Sequence, residues 1–216
     1  MKRWLMGLLA AGAFLFTPQT GNAQGMEVPK DIYQWVQSTA RAGYYFNKQQ
    51  ICYGVNEKGI IDLNTLIVPT IRIYDDLQIR DVISKRRWNM LSMEGYDTLV
   101  GQAVYLTFHL AEGTVQTTMR VDLDDKWGTL GTTGAGEAVR MDSFSEKDVE
   151  GNFYRAILEY AAGHQEELIK HTKGTLSEED QKKLEAAKKA AAEAEKKAQK
   201  DKKHKKDKKD KEDKKD

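Results

Sequence analysis

His109, Tyr105 and Arg120 are the residues whose types and spacing come nearest to a chemical site. Residues 103–110 and 114–123 both alternate apolar and polar side chains. Val104, Leu106, Phe108 and Leu110 interleave with Tyr105, Thr107 and His109. Val115, Thr117, Met119 and Val121 interleave with Gln116, Thr118 and Arg120. Closing the two strands through Glu112-Gly113 as a two-residue turn sets Leu110 opposite Val115, Phe108 opposite Thr117 and Leu106 opposite Met119. Every apolar side chain then lies on one dry face. The wetter face carries His109 beside Gln116, Thr107 beside Thr118 and Tyr105 beside Arg120. A proton-transfer site can be built there. No nucleophile or metal-spaced partner accompanies it, so these three residues are weak catalytic candidates.

The remaining motifs have simpler readings. Asp122-Leu123-Asp124-Asp125 opens like a calcium loop, but the fifth and twelfth positions hold Lys126 and Thr133 where oxygen ligands are needed. It reads as a charged strand end, and no metal site is expected. The glycine-rich stretch 128–136 lacks the Gly-Lys-Ser/Thr ending of a phosphate cradle and reads as a flexible loop, at most a lid beside a pocket. Lys85-Arg86-Arg87 before Trp88 is a basic spot that suits either an anion or a solvated strand end. His164 falls on the apolar stripe of a helix and reads as a hydrogen-bonded core residue. His171 sits in a last helical turn, where a cation complements the dipole, and His204 lies in the tail. Cys52 is the only cysteine, so no intramolecular disulfide is possible. Flanked by Ile51 and Tyr53, it reads as a small buried residue rather than a nucleophile. No cofactor is implied.

These residues need elements to hold them. Ile32, Trp35, Val36, Thr39, Gly43 and Phe46 fall at helical spacing, which predicts an N-terminal amphipathic helix over 31–46 with its Trp face inward, after a lead-in with Pro29. Residues 49–55 and 60–74 are β-branched and aromatic, and Asn56-Glu57-Lys58-Gly59 makes a turn between them. Pro69 must mark a bulge, edge or break. Residues 77–88 read as a further strand. Ser145 as N-cap, Asp148 three residues on, and Phe144 with Val149 as a staple start a C-terminal helix. Its stripe of Val149, Phe153, Ile157, Tyr160, His164 and Leu168 covers the dry face of the sheet, and Gly174 closes it.

Charge and composition divide the chain. Residues 24–176 hold 16 Lys and Arg against 21 Asp and Glu, enough chain for one acidic domain with a real core. Residues 177–216 hold 16 Lys and 12 acids. Over 177–200 an Ala/Lys/Glu helix is expected, carrying a single large apolar residue, Leu184, and i,i+4 pairs such as Glu179 with Lys183. Residues 201–216 cannot bury enough to order themselves. Lys202, Lys203, Lys205, Lys206, Lys208 and Lys209 suit an anionic envelope polymer or membrane surface. Without arginine or an aromatic ring there, nucleic acid is an improbable partner.

The N-terminus carries an address. Lys2-Arg3, the uncharged run 4–16, Pro18 and Gly21-Asn22-Ala23 read as a cleavable signal peptide over 1–23. Thirteen residues fall short of the roughly twenty that span a bilayer. Together these readings predict an α+β domain: an N-terminal helix, an antiparallel β-sheet with a central hairpin, and a C-terminal helix packed on the sheet. A solvated charged helix and a disordered tail follow. The functional expectation is an exported, periplasmic or secreted, non-enzymatic binding or structural protein of the cell envelope. The alternative is an exported hydrolase working on the His109 face under the 128–136 loop.

Overall fold

A computed structural model describes residues 27–186 and 189; the proposed signal segment, most of 187–200 and the whole of 201–216 lie outside them. The α+β class and the antiparallel sheet are as expected. Eight strands form the sheet: β1 (Tyr33–Ser38), β2 (Ala42–Asn47), β3 (Cys52–Val55), β4 (Ile61–Tyr74), β5 (Leu99–His109), β6 (Thr114–Asp124), β7 (Thr129–Thr133) and β8 (Ala138–Arg140). Their order is β1-β2-β4-β5-β6-β7, with β3 on β4 and β8 on β6. Among the described residues the α-helices α1 (Asp76–Trp88), α2 (Val149–Gly163) and α3 (Gln165–His171) accompany them, and a fourth helix runs over 178–186. Among the described residues none is long and apolar enough to cross a membrane.

Pro69 stands in the middle of β4, and the topology explains how. One side of β4 pairs continuously with β5, whereas the other side pairs with β3 over 61–67 and with β2 over 70–74. Pro69 falls in the gap between those two partners, where no ladder donor is required.

The expected N-terminal helix is instead the β1–β2 hairpin. Thr39 Oγ1 accepts from the backbone of Arg41 at 3.1 Å and Ala42 at 3.0 Å, which closes the turn. Tyr44, Tyr45 and Phe46 decide the matter, because consecutive bulky rings pack well on opposite faces of a pleat. Tyr44 and Phe46 join the core beneath α2, and Tyr45 joins a second cluster on the other face. Trp35 is 44% exposed rather than inward. Residues 77–88 are also corrected, from strand to α1. Asp75 caps that helix by accepting from Gln78 N at 2.7 Å, and Lys85, Arg86 and Arg87 complement its C-terminal dipole.

The central pair of strands forms, but not in the expected register. Residues 110–113 make a four-residue loop with Gly113 at φ 64°, which sets Phe108 opposite Val115 and Leu106 opposite Thr117. Beyond that, Thr118 is a bulge, so Tyr105 meets Met119. A bulge exchanges the faces of every later residue. Val115 therefore packs under α2, while Met119, Val121 and Leu123 turn to the opposite face with Ile71, Ile73 and Val100. The sheet has two apolar faces, not one dry and one wet.

That second face curls inward. Tyr33 of β1 stacks on Trp127 of the β6–β7 turn with ring centroids 6.4 Å apart. Along a flat sheet those strands would be about 19 Å apart.

On the first face, α2 buries Phe153, Tyr154, Ile157 and Ala161, and α3 adds Leu168. The single long helix is thus two, broken at His164. Its start also lies later than Ser145, because Asp148 is the N-cap and turns its carboxylate back to Ser145 N at 2.9 Å. Gly174 does not cap it; a Cβ there would lie 3.0 Å from Gly59 O, where residues 172–175 strap the β3–β4 turn. Thr172 ties α3 to β3 through Tyr53 N at 2.9 Å. The charged helix begins as expected, with Ser177 Oγ accepting from Asp180 N and Glu179 pairing with Lys183 at 2.6 Å. Over 178–186 it is not solitary, since Leu184 shares a cavity with Ile169 and Leu176.

Candidate functional site

Strand registers align Tyr44, Arg72, Gln102 and Asp122 in one row across β2, β4, β5 and β6, on the face that α2 covers. At one end Arg72 Nη2 donates to Glu150 Oε2 at 2.7 Å, and its guanidinium lies 5.2 Å from the Tyr44 ring centroid. Arg72 Nε is buried without a hydrogen bond among the described residues. At the other end Asp122 accepts from Tyr96 Oη at 2.7 Å and Gln102 Nε2 at 2.9 Å. Arg86 reaches within 3.8 Å of the same carboxylate and lies 3.8 Å above the Tyr96 ring. Gly131 on β7 is needed here, because a Cβ would sit 2.5 Å from Tyr96 Oη. The stretch expected to be a flexible loop is therefore partly a paired strand.

Beside this row, Arg120 opens into a cavity of about 360 Å³ between β6, β8 and α2. Val115, Val139 and Phe144 give it apolar walls, and Thr117, Glu137 and Tyr154 give it polar ones. Arg120 Nη2 makes one long contact to Thr117 Oγ1, 3.4 Å, and no ion pair among the described residues. Burial, then the Glu150 charge, pushes the Tyr154 phenol up to about 12. A half-buried guanidinium beside a protonated phenol presents donors to an acidic group. A larger groove of about 620 Å³, bordered by Trp35, Phe46, Tyr160 and His164, offers no comparable cation.

The three weak catalytic candidates do not converge. Tyr105 pairs with Met119 and belongs to the second cluster, whereas Arg120 pairs with Val104 and faces α2. The Thr118 bulge separates them. His109 closes β5 near Asp62, whose carboxyl is held below its ordinary range first by the Thr65 hydroxyl and last by His109. Gly136 of the 128–136 stretch does border the Arg120 cavity. Asp124 caps the β6–β7 turn, accepting from Lys126 N at 2.8 Å and Gly128 N at 2.6 Å. Among the described residues no three His, Cys, Asp or Glu gather around a metal-sized space.

Other single residues also find places. His164 is exposed, not core; it ends α2 with its ring stacked 3.9 Å from Tyr160. His171 closes α3, 3.9 Å from Glu167. Cys52 is half-buried, and burial raises its thiol. The six tail lysines, 202–209, lie outside the described residues. Arg72, Glu150 and Tyr154 were not among the sequence candidates. The available signal was Arg72, a lone cation in the apolar half of β4.

The buried phenols give the domain an alkaline limit. Burial raises Tyr33, Tyr44, Tyr45, Tyr53 and Tyr160 above their ordinary 10.0, and Tyr74, Tyr96 and Tyr154 furthest. A raised acid favours the folded state fully below its unfolded pKa, and that contribution is lost as pH climbs through the folded values. Absorbance at 295 nm is expected to show two classes among the nine tyrosines, the later one rising together with loss of near-ultraviolet dichroism. A single wave near pH 10 with the fold intact would contradict this.

Compared with models of known families, with curated proteins and with solved structures, the chain matches none.

Proposed function

We propose that this chain is an exported binding protein of the cell envelope, periplasmic or secreted, in which the acidic domain captures a small acidic ligand and the lysine tail holds it at an anionic surface. The observation that carries the reading is Arg120, a half-buried guanidinium with no ion pair among the described residues, facing a cavity beside Tyr154. A carboxylate or phosphate would complete its hydrogen bonds, and Val115, Val139 and Phe144 would take the apolar remainder of the ligand. Signal segment and tail supply the address and the tether. Nothing in the geometry favours the hydrolase alternative, because Arg120 lies on the opposite face of the sheet from Tyr105 and His109.

Two full-chain variants test the two halves. Small apolar acids such as benzoate and phenyl phosphate are expected to raise the Tm of the wild type but not of Arg120→Gln. Equal shifts in both would place binding elsewhere. Replacing Lys202, Lys203, Lys205, Lys206, Lys208 and Lys209 with glutamine is expected to leave the Tm unchanged and release the protein from envelope fractions. Retention in those fractions would remove the tethering half.

A further inference from the structure

The end of α1 is built in a way the fold itself does not need. Met90 N–H donates to Arg87 O and Leu91 N–H to Arg86 O, each at 3.0 Å, which is a Schellman cap. The left-handed position of that cap normally takes glycine. Here it holds Met90 at φ 54°, where an L side chain is strained. The strained side chain is 92% exposed, and Trp88 two residues earlier is 87% exposed. Leu91 beside them is half-exposed. No packing inside the domain accounts for these three apolar groups at one protruding tip.

The tip is held rigidly. Arg86 donates to Ser92 O through Nε at 3.2 Å and Nη2 at 2.9 Å, and the same guanidinium lies over Tyr96. Around the tip stand Lys85, in an exposed pair with Asp81, and Arg87, which makes no ion pair among the described residues. Glu94 is the only acid between 85 and 94. Tryptophan favours the headgroup level of a bilayer, and cations beside it favour anionic lipid.

We infer that Trp88, Met90 and Leu91, with Arg87 and Lys85, form a wedge that seats in the interface of an anionic lipid bilayer. The inference deepens the tethering half of the proposed function and rests on it, since one weak anchor binds marginally and two signals bind stably. The lysine tail supplies the long-range attraction, and the wedge supplies the apolar contact. A bilayer is favoured over a protein partner because the apolar contact comes from three side chains alone and cations flank them.

The experiment is co-sedimentation of the chain from residue 24 onward with phosphatidylglycerol–phosphatidylcholine vesicles and with phosphatidylcholine alone. Binding is expected only to the anionic vesicles, with a blue shift of Trp emission. Trp88→Ser is expected to weaken it about tenfold. Met90→Gly relieves the strained backbone, so it is expected to raise the Tm by about 2–4 °C while weakening vesicle binding. That variant answers any objection that loss of binding reflects loss of fold. Unchanged binding in Trp88→Ser alongside loss in the six-lysine variant overturns the wedge and leaves the tail as sole tether. Loss in Trp88→Ser with none in the six-lysine variant upholds the wedge and removes the tail's part. Failure of the wild type to bind anionic vesicles overturns the wedge, as does a self-association that Trp88→Ser abolishes without affecting vesicle binding.

Discussion

Phe153→Ala is expected to lower the unfolding free energy by about 3–5 kcal/mol, the range for emptying a buried aromatic site. Phe153 is 0% exposed and sits where α2 meets β2. Its ring meets Tyr44 edge-on at 5.4 Å and Tyr154 at 6.2 Å. Those neighbours are themselves packed, because Tyr44 and Tyr154 are buried beside Glu150, which Arg72 holds, and Tyr154 also meets Phe108 and Phe144 edge-on. They cannot collapse into the space without breaking the Arg72–Glu150 pair, so the cavity stays open and the cost stays near the upper end. Against a total of about 5–15 kcal/mol for a domain of this kind, that is a third or more. Phe153→Leu keeps most of the volume and is expected to cost about 1 kcal/mol. Urea unfolding of both variants measures this, and a loss below 1 kcal/mol for alanine would show that α2 does not supply the main core.

α2 was also the element most legible in the sequence, and the reason is the same. Val149, Phe153, Ile157 and Tyr160 repeat at helical spacing along a stretch with no competing strand signal. The β-branched run of β4 was equally plain, and Pro69 announced a break whose partner the sequence could not name. The 31–46 segment shows where periodicity misleads. Its apolar residues fit a helix and a two-sided strand alike, and burial of Tyr45 on a second face settles it. That second face was itself invisible, because it arises from the Thr118 bulge and the curl that brings Tyr33 to Trp127. A one-residue bulge leaves no mark in an alternating pattern, yet it moved Arg120 away from Tyr105 and into the cavity beneath α2. Arg120 was thus legible as a candidate by type, while its neighbours were fixed by a register that local sequence does not encode.

Asp122→Ala is expected to cost about 2–3 kcal/mol, because one carboxylate serves three groups at once. Tyr96 Oη and Gln102 Nε2 donate to separate oxygens, and Arg86 stands 3.8 Å away. The Asp122 and Arg86 side chains are only 13% and 19% exposed, so water cannot replace the lost acceptor at little cost. Asn in its place keeps one acceptor and the volume, and is expected to lose about half as much. The damage should also be local in a telling direction. Asp122 is the link between β6 and the segment from Arg86 to Tyr96, which includes the exposed tip of α1. Amide exchange over 89–98 is therefore expected to speed up in Asp122→Ala while the amides of α2 lose only the global change. If alanine and asparagine cost the same, or exchange at 89–98 is unaltered, the carboxylate is not what fastens that tip to the sheet.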